Sequence, residues 1–369
     1  MAALFAPPIM LAQVPGGSNY YYYRGVDSNP ATNTCRGTAG SPGFGIITDY
    51  YLNDRKCGEH ARVSSIINGQ LNTMVLNGQR NLSLPVFFAQ SGRFVANANN
   101  QCPTSGRTAG KGGAMMPLPD GTIPPNCLAA LRSIISAAYN AGFKSVRIRF
   151  MALGPNDPYT WSQFNGTVAA YNWKFIQSVH AGLSGLSLGK YDLGNEDLAG
   201  SNLPIVLQYA TYLWERYTAT YGTSDTVGFS VPCSDVCNAN IDSFSTVYGS
   251  NLPPVFDFHI YGNDCPDIVG VGNQTLPVDR VYDIFLNSLH SLGWTSQGWI
   301  IGETCYNDPN VAQRLLKAHQ QAGNLLDSIE QWPPVSLALV PLEYSNYLNP
   351  PQPSNADING GIKSSPPLE

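Results

Sequence analysis

Charge is what this chain has least of. Only 12% of its 369 residues are Asp, Glu, Lys or Arg, about half the usual share. The 20 basic and 25 acidic residues leave a formal charge of −5 and form no Lys/Arg cluster. That argues against nucleic acid or an anionic membrane surface as partner. No run of about 20 apolar residues occurs, so no membrane span is expected. No Gly-rich phosphate loop follows an early strand pattern, and neither a Gly-x-Ser-x-Gly elbow nor a Ser-His-Asp spacing is present. Nucleotide-binding and esterase readings are therefore poor. No unit of about 20–50 residues repeats, which argues against a solenoid. Cys233-x-x-x-Cys237 has no His pair beside it, so no metal and no other cofactor is expected.

What is present is apolar and neutral-polar. Hydrophobic residues make up 43% of the chain, with 36 Gly, 28 Pro and 20 Tyr. That is ample for a core, and the surface must be covered by Ser, Thr, Asn, Gln, Gly and Tyr, as suits neutral substrates. Eight cysteines, at 35, 57, 102, 127, 233, 237, 265 and 305, point to an oxidising compartment and hence a secreted or periplasmic protein. Sequence order suggests Cys35–Cys57 and Cys102–Cys127, with Cys233–Cys237 and Cys265–Cys305 as looser pairings; spacing alone leaves the connectivity open.

Apolar periodicity organises the chain from Gly45 onward. Strand patterns are expected at 45–52, 82–89, 145–150, 191–193, 226–231, 255–261, 298–304 and 326–332. Helical spacing lies between them at 59–78, 128–141, within 158–183 from a start near Trp161 or Phe164, and at 205–221, 241–248, 278–292 and 311–322. Helix alternates with strand until eight strands are counted, which predicts parallel strands joined by right-handed crossovers. Eight such units close a (β/α)8 TIM barrel with disulfide-tied loops; an open doubly wound sheet is the alternative. The expected organisation is an N-terminal extension at 1–43, the barrel at 44–335, and a C-terminal segment at 336–369. Residues 90–125 form a long Gly/Asn/Pro-rich insert.

Alternation within strands separates their faces. Val146, Ile148 and Phe150 share one face, Arg147 and Arg149 the other; Phe256, Phe258 and Ile260 oppose Asp257, His259 and Tyr261. In a barrel the apolar face meets the helices and the polar face points inward. Buried charges cost several kcal/mol each unless paired. Arg147 and Arg149 are therefore expected to meet Asp192, Asp257, Glu303 and Glu330. Arg149, nearer its strand's end, would lower a glutamate's pKa and keep it ionised.

Two strands end in glutamate. Gly194-Asn195-Glu196 closes the fourth strand pattern, and Gly302-Glu303 the seventh. Barrel active sites lie at the C-terminal ends of strands. This arrangement resembles the clan A glycoside hydrolases, the cellulase-, mannanase- and xylanase-type retaining β-glycosidases. The resemblance implies Glu196 as general acid/base, Glu303 as nucleophile and Asn195 as a partner of the sugar 2-hydroxyl. It further implies His259 and Tyr261 as active-site residues of strand six, Trp332 as an aromatic platform, and Arg149 as the group holding the nucleophile. Tyr159 and Trp161, in the loop after strand three, are candidates for sugar stacking. Asp197 departs from the pattern, where Pro is common; pointing into the cleft it would help keep Glu196 protonated, and pointing away it merely starts the following loop. The expectation is a monomeric, endo-acting retaining glycosidase acting on a β-linked carbohydrate. A non-catalytic carbohydrate-binding barrel and a transglycosylase are the alternatives.

Overall fold

The structure, a computed structural model, describes residues 16–20, 22–23, 42–43, 46–47, 50, 63–76, 78–90, 114–233, 242–263, 275–304, 309–323 and 325–331. Its central sheet has nine strand segments, and every adjacent pair is parallel. They are β1 (Gly16–Asn19), β2 (Asn81–Phe88), β3 (Ser145–Ala152), β4 (Tyr191–Asp192), β5 (Thr226–Gly228, continued by Val231–Cys233), β6 (Val255–Ile260), β7 (Gly298–Glu303) and β8 (Leu326–Gln331). The two halves of β5 stand at opposite ends of the pairing order. They are joined through Phe229 and Ser230, so the sheet closes through its own fifth strand into a (β/α)8 barrel. Helices α1 (Val63–Leu76), α2 (Pro125–Ala141), α3 (Gly166–Gly182), α4 (Pro204–Tyr221), α5 (Asp242–Tyr248), α6 (Val278–Ser291) and α7 (Pro309–Ala322) lie between successive strands. Elements expected from β2 onward are all found, with ends shifted by a few residues. Two short 3-10 turns, Gly154–Asn156 and Pro158–Thr160, precede α3, which starts at Gly166, close to the expected start near Trp161 or Phe164. Asn165 then caps it, its Oδ1 accepting from Val168 N at 3.2 Å.

The first strand is a correction. Residues 45–52 are not the opening strand: Ile46, Ile47 and Tyr50 are helical. Gly16–Asn19 takes that place, pairing with β8 on one side and β2 on the other, so the barrel reaches into the stretch expected to be an extension. Gly-Gly-Ser-Asn has little strand propensity. What selects it is close approach: a Cβ on Gly17 would overlap the carbonyl oxygen of Asn81. Tyr22–Tyr23 pairs antiparallel with Pro42–Gly43. The far end of the 90–125 insert returns to β2, where Met115 N donates to Phe87 O at 2.7 Å. Cys127 is buried in α2; each expected pairing includes at least one cysteine outside the described residues.

The face assignment holds. Val146, Ile148 and Phe150 of β3 and Phe256, Phe258 and Ile260 of β6 are buried in one continuous core with the helices. Phe258 packs on Phe285 of α6 at 4.2 Å between ring centroids, and Phe88 on Phe175 of α3 at 4.3 Å. Arg147, Arg149, Asp192, Asp257, His259, Glu303 and Glu330 are buried as well, and they meet one another inside the barrel.

Candidate active site

Each functional side chain comes from the C-terminal end of a strand, where the barrel opens. Strand register places Arg149 beside Asp192, and His259 beside Glu303. Arg149 is the hub. Its Nε lies 3.2 Å from Asp192 Oδ2, its Nη1 donates to Asn19 Oδ1 at 2.7 Å and also to Glu303, and its Nη2 lies 3.4 Å from Glu196 Oε1. Asp192 is fixed in turn by Ser230 N, which donates to its Oδ1 at 3.2 Å. The lower arginine, Arg147, pairs with Asp257 at 2.7 Å and with Glu330 at 2.8 Å. The expected inward pairing of two arginines with four carboxylates is thus realised.

Glu303 is almost fully buried and held at both oxygens. Arg149 contacts Oε1, and Tyr261 donates its hydroxyl to Oε2 at 2.8 Å. Glu196, on the loop after β4, keeps 36% of its side chain exposed. His259 Nδ1 lies 2.9 Å from Glu196 Oε1 and 3.3 Å from Glu303 Oε2. One oxygen from each glutamate and one His259 nitrogen all fall within 4.8 Å of one another. These three groups have the reach to hold a metal ion. The Arg149 guanidinium on both carboxylates opposes a dication there by charge.

The two glutamates ionise far apart. Burial is the largest influence on Glu303 and, with the charge of Glu196, pushes it up to about 7 against the pull of His259 and Arg149. Burial acts on Glu196 in the same direction. There the His259 charge and hydrogen bond, helped by Arg149, outweigh it and bring the carboxyl down to about 2. His259 would be pushed down by burial but is raised by Glu303 and Glu196. The two carboxyls are therefore shifted in opposite directions, Glu303 up and Glu196 down. This reverses the expected order. Arg149 is divided among Asn19, Asp192, Glu196 and Glu303, so it cannot offset the full desolvation of Glu303.

Asp197 behaves unlike the expectation too. It holds a positive φ of 63°, which Asp tolerates better than most residues. Its Oδ1 is buried without a hydrogen-bond partner. Burial and the charge of Glu196 push Asp197 itself up to about 7.

Asn195 donates to Ala152 O at 2.9 Å, leaving its Oδ1 unpartnered. Tyr159 is exposed at the rim and donates its hydroxyl to Glu196 O at 3.2 Å. Trp161 is engaged in the protein: its indole N–H donates to Pro155 O at 2.8 Å, and its ring packs edgewise on Phe164 and Tyr209. Trp332 lies outside the described residues. Sequence reasoning missed Asn19. Its Nδ2 donates to Gly302 O at 2.6 Å, next to Glu303, while its Oδ1 accepts from Arg149. Nothing in the Gly-rich pattern around Asn19 marks it.

No family model and no curated protein matches this sequence. Among solved structures, the chain is similar to Cel5A (EG2) from Hypocrea jecorina (Trichoderma reesei), with 12% identity and a TM-score of 0.49 over 87% of this chain and 89% of that one. It is similar to a GH5 xyloglucanase of Bacteroides ovatus solved with a XXXG heptasaccharide, with 13% identity and a TM-score of 0.49 over 91% and 75%. A GH5 lichenase from Caldicellulosiruptor sp. F32 shows 14% identity and a TM-score of 0.45, covering 90% of each chain. The barrel assignment stands on the strand register of this chain itself.

Proposed function

We propose that the protein is a retaining glycoside hydrolase of clan A type, cleaving a β-linked glycan through a covalent glycosyl-enzyme. One observation carries this reading: Glu303 ends β7, Glu196 stands on the loop after β4, and the two face each other with oxygens within 4.8 Å. Carboxyl groups about 5–5.5 Å apart suit double displacement, whereas inversion needs about 6.5–9.5 Å to admit a water.

Glu303 is the nucleophile, because Arg149 and Tyr261 fix both of its oxygens at the buried end of the site. Glu196 is the acid/base, because its exposed edge faces the cleft where a leaving group departs. A bound sugar supplies the missing proton shift. It covers Glu196, which is half-open, and so raises it; Glu303 is already buried and has no more solvent to lose. Positive charge growing on the anomeric carbon favours ionised Glu303. The Glu303 carboxylate then bonds to the anomeric carbon as the glycosidic C–O bond breaks, and Glu196 gives its proton to the departing oxygen. In the second step Glu196 takes a proton from water, whose oxygen displaces Glu303.

Asn195, with its free Oδ1, accepts from the sugar 2-hydroxyl, and Tyr159 offers a flat apolar face at the rim. Endo action on a neutral polysaccharide and a secreted or periplasmic location fit the low charge and the cysteine content. A 2-fluoro-glycoside should leave a covalent adduct on Glu303, located by peptide mass spectrometry. Glu303→Ala should abolish turnover on the best glycan of a broad panel; near wild-type turnover would sink the reading. A non-catalytic carbohydrate-binding barrel would bind glycan and form no adduct.

A further inference from the structure

Beneath Glu196 and Glu303 the barrel holds a second charged layer. Asp257 stands two residues before His259 on β6 and is completely buried. Its Oδ2 lies 2.7 Å from Arg147 Nη1, and its Oδ1 faces His259 Nε2 at 3.8 Å. Arg147 also holds Glu330 at 2.8 Å, and Ser328 donates to the other Glu330 oxygen at 3.1 Å. A series of charged groups therefore runs from Glu330 through Arg147, Asp257 and His259 to the two facing glutamates.

The backbone leaves room for this layer at one position. A Cβ on Gly302 would overlap Asp257 Oδ1. Gly302 directly precedes Glu303, so the carboxylate of Asp257 occupies the space that a side chain under the nucleophile would fill.

His259 thus has a carboxylate at each ring nitrogen: Glu196 and Glu303 at Nδ1, Asp257 at Nε2. A neutral imidazole carries one N–H and turns a lone pair toward one of these anions. The imidazolium presents an N–H to both. We propose that Asp257, seated in the space left by Gly302, is a positioning residue that keeps His259 doubly protonated between Glu196 and Glu303. The charged groups around His259 are Glu196, Glu303, Arg149 and Asp257. Those around Asp257 are Arg147, His259, Asp192 and Glu330, with the Tyr248 phenol of α5. A fixed cation at His259 lets two glutamates stand this close while sharing one proton. Asp257 touches no substrate in this arrangement.

The catalytic consequence rests on the glycosidase reading; the protonation state of His259 does not. Nitrogen-15 NMR of histidine-labelled full chain, with His259 assigned by the signal missing in His259→Asn, reads that state directly. Both ring nitrogens of wild-type His259 should be protonated at neutral pH. In Asp257→Asn the His259 titration should fall by at least about one unit, because a facing carboxylate is lost. The same variant should lose about tenfold or more in kcat with KM within about twofold, and its pH–kcat profile should lose its alkaline side earlier. A singly protonated His259 in the wild type, or an unmoved titration in folded Asp257→Asn, overturns the proposal. Should Asp257→Asn not fold, Asp257→Ser is read in its place, with the same fall or absence of fall in the His259 titration deciding. A wild-type chain that cleaves no glycan yet shows the doubly protonated ring defeats the glycosidase reading and leaves Asp257 in its place.

Discussion

Tyr261 donates its hydroxyl to Glu303 Oε2 at 2.8 Å from the strand next to β7. Burial and the neighbouring Glu303 raise this phenol well above its usual range, so it remains a donor at every working pH. A hydrogen bond to a charged group contributes about 1.5–3 kcal/mol. Tyr261→Phe should lower kcat/KM about 10- to 100-fold with little change in melting temperature, as steady-state kinetics on the best glycan would show. An unchanged kcat/KM would mean that Glu303 needs no fixing from that side.

Arg149 cannot be replaced by its charge alone. Its fork reaches Asn19, Asp192, Glu196 and Glu303 at once, and an ammonium on a flexible stem cannot span that set. Arg149→Lys should therefore lose most activity. Removing a partner from a buried ion network typically costs about 3–5 kcal/mol, so Arg149→Met should also unfold at clearly lower urea concentration.

Stability should pass through a maximum in mild acid. Glu196 is depressed in the fold from 4.5 to about 2, so its contribution is present above its unfolded value and fades as pH falls from about 4.5 toward 2. Glu303 is raised from 4.5 to about 7. Its contribution is present below its unfolded value and is lost as pH rises from about 4.5 to 7. His259, raised above 6.5, and Asp197, raised to about 7, add to the loss on that side. Chemical denaturation across this range should show the fall, and Glu303→Gln should make it shallower. A wild-type profile flat from pH 4.5 to 7 would contradict the site's electrostatics. The singly protonated pair exists between the same two values, so kcat/KM should decline as pH rises past about 7.

Gly17 is a test of the barrel seam. Gly17→Ala would drive a Cβ into the Asn81 carbonyl, where backbone has little freedom to move. Overpacking of this kind costs about 1–3 kcal/mol or more. A lowered melting temperature is expected, together with reduced activity, because Asn19 two residues later positions Arg149 and Gly302. An alanine variant as stable as wild type would place the first strand elsewhere.

Much of this site is legible in the chain because short-range patterns encode it. Alternation through Val146–Phe150 and Phe256–Tyr261 shows which residues turn inward, and the four carboxylates expected to meet the two arginines do meet them. Residues 45–52 misled because a short apolar run fits strand and helix alike. Gly16–Asn19 escaped notice because its place depends on close backbone packing against Asn81, which no local preference announces. Trp161, expected to stack on sugar, is held by Pro155, Phe164 and Tyr209, contacts that position in the chain does not announce.

The sequence by itself determined the order of strands and helices from β2 onward and the two strands that end in glutamate, because both follow from the period of side chains along a single element. Only the tertiary structure decided which segment closes the barrel, that one arginine is shared by two glutamates, and that burial raises Glu303 while His259 and Arg149 lower Glu196. Those outcomes depend on burial and on distances between groups far apart in the chain. Gly302 shows the difference: in sequence it is a glycine before a glutamate, and in the fold it is the space that lets Asp257 stand beneath His259.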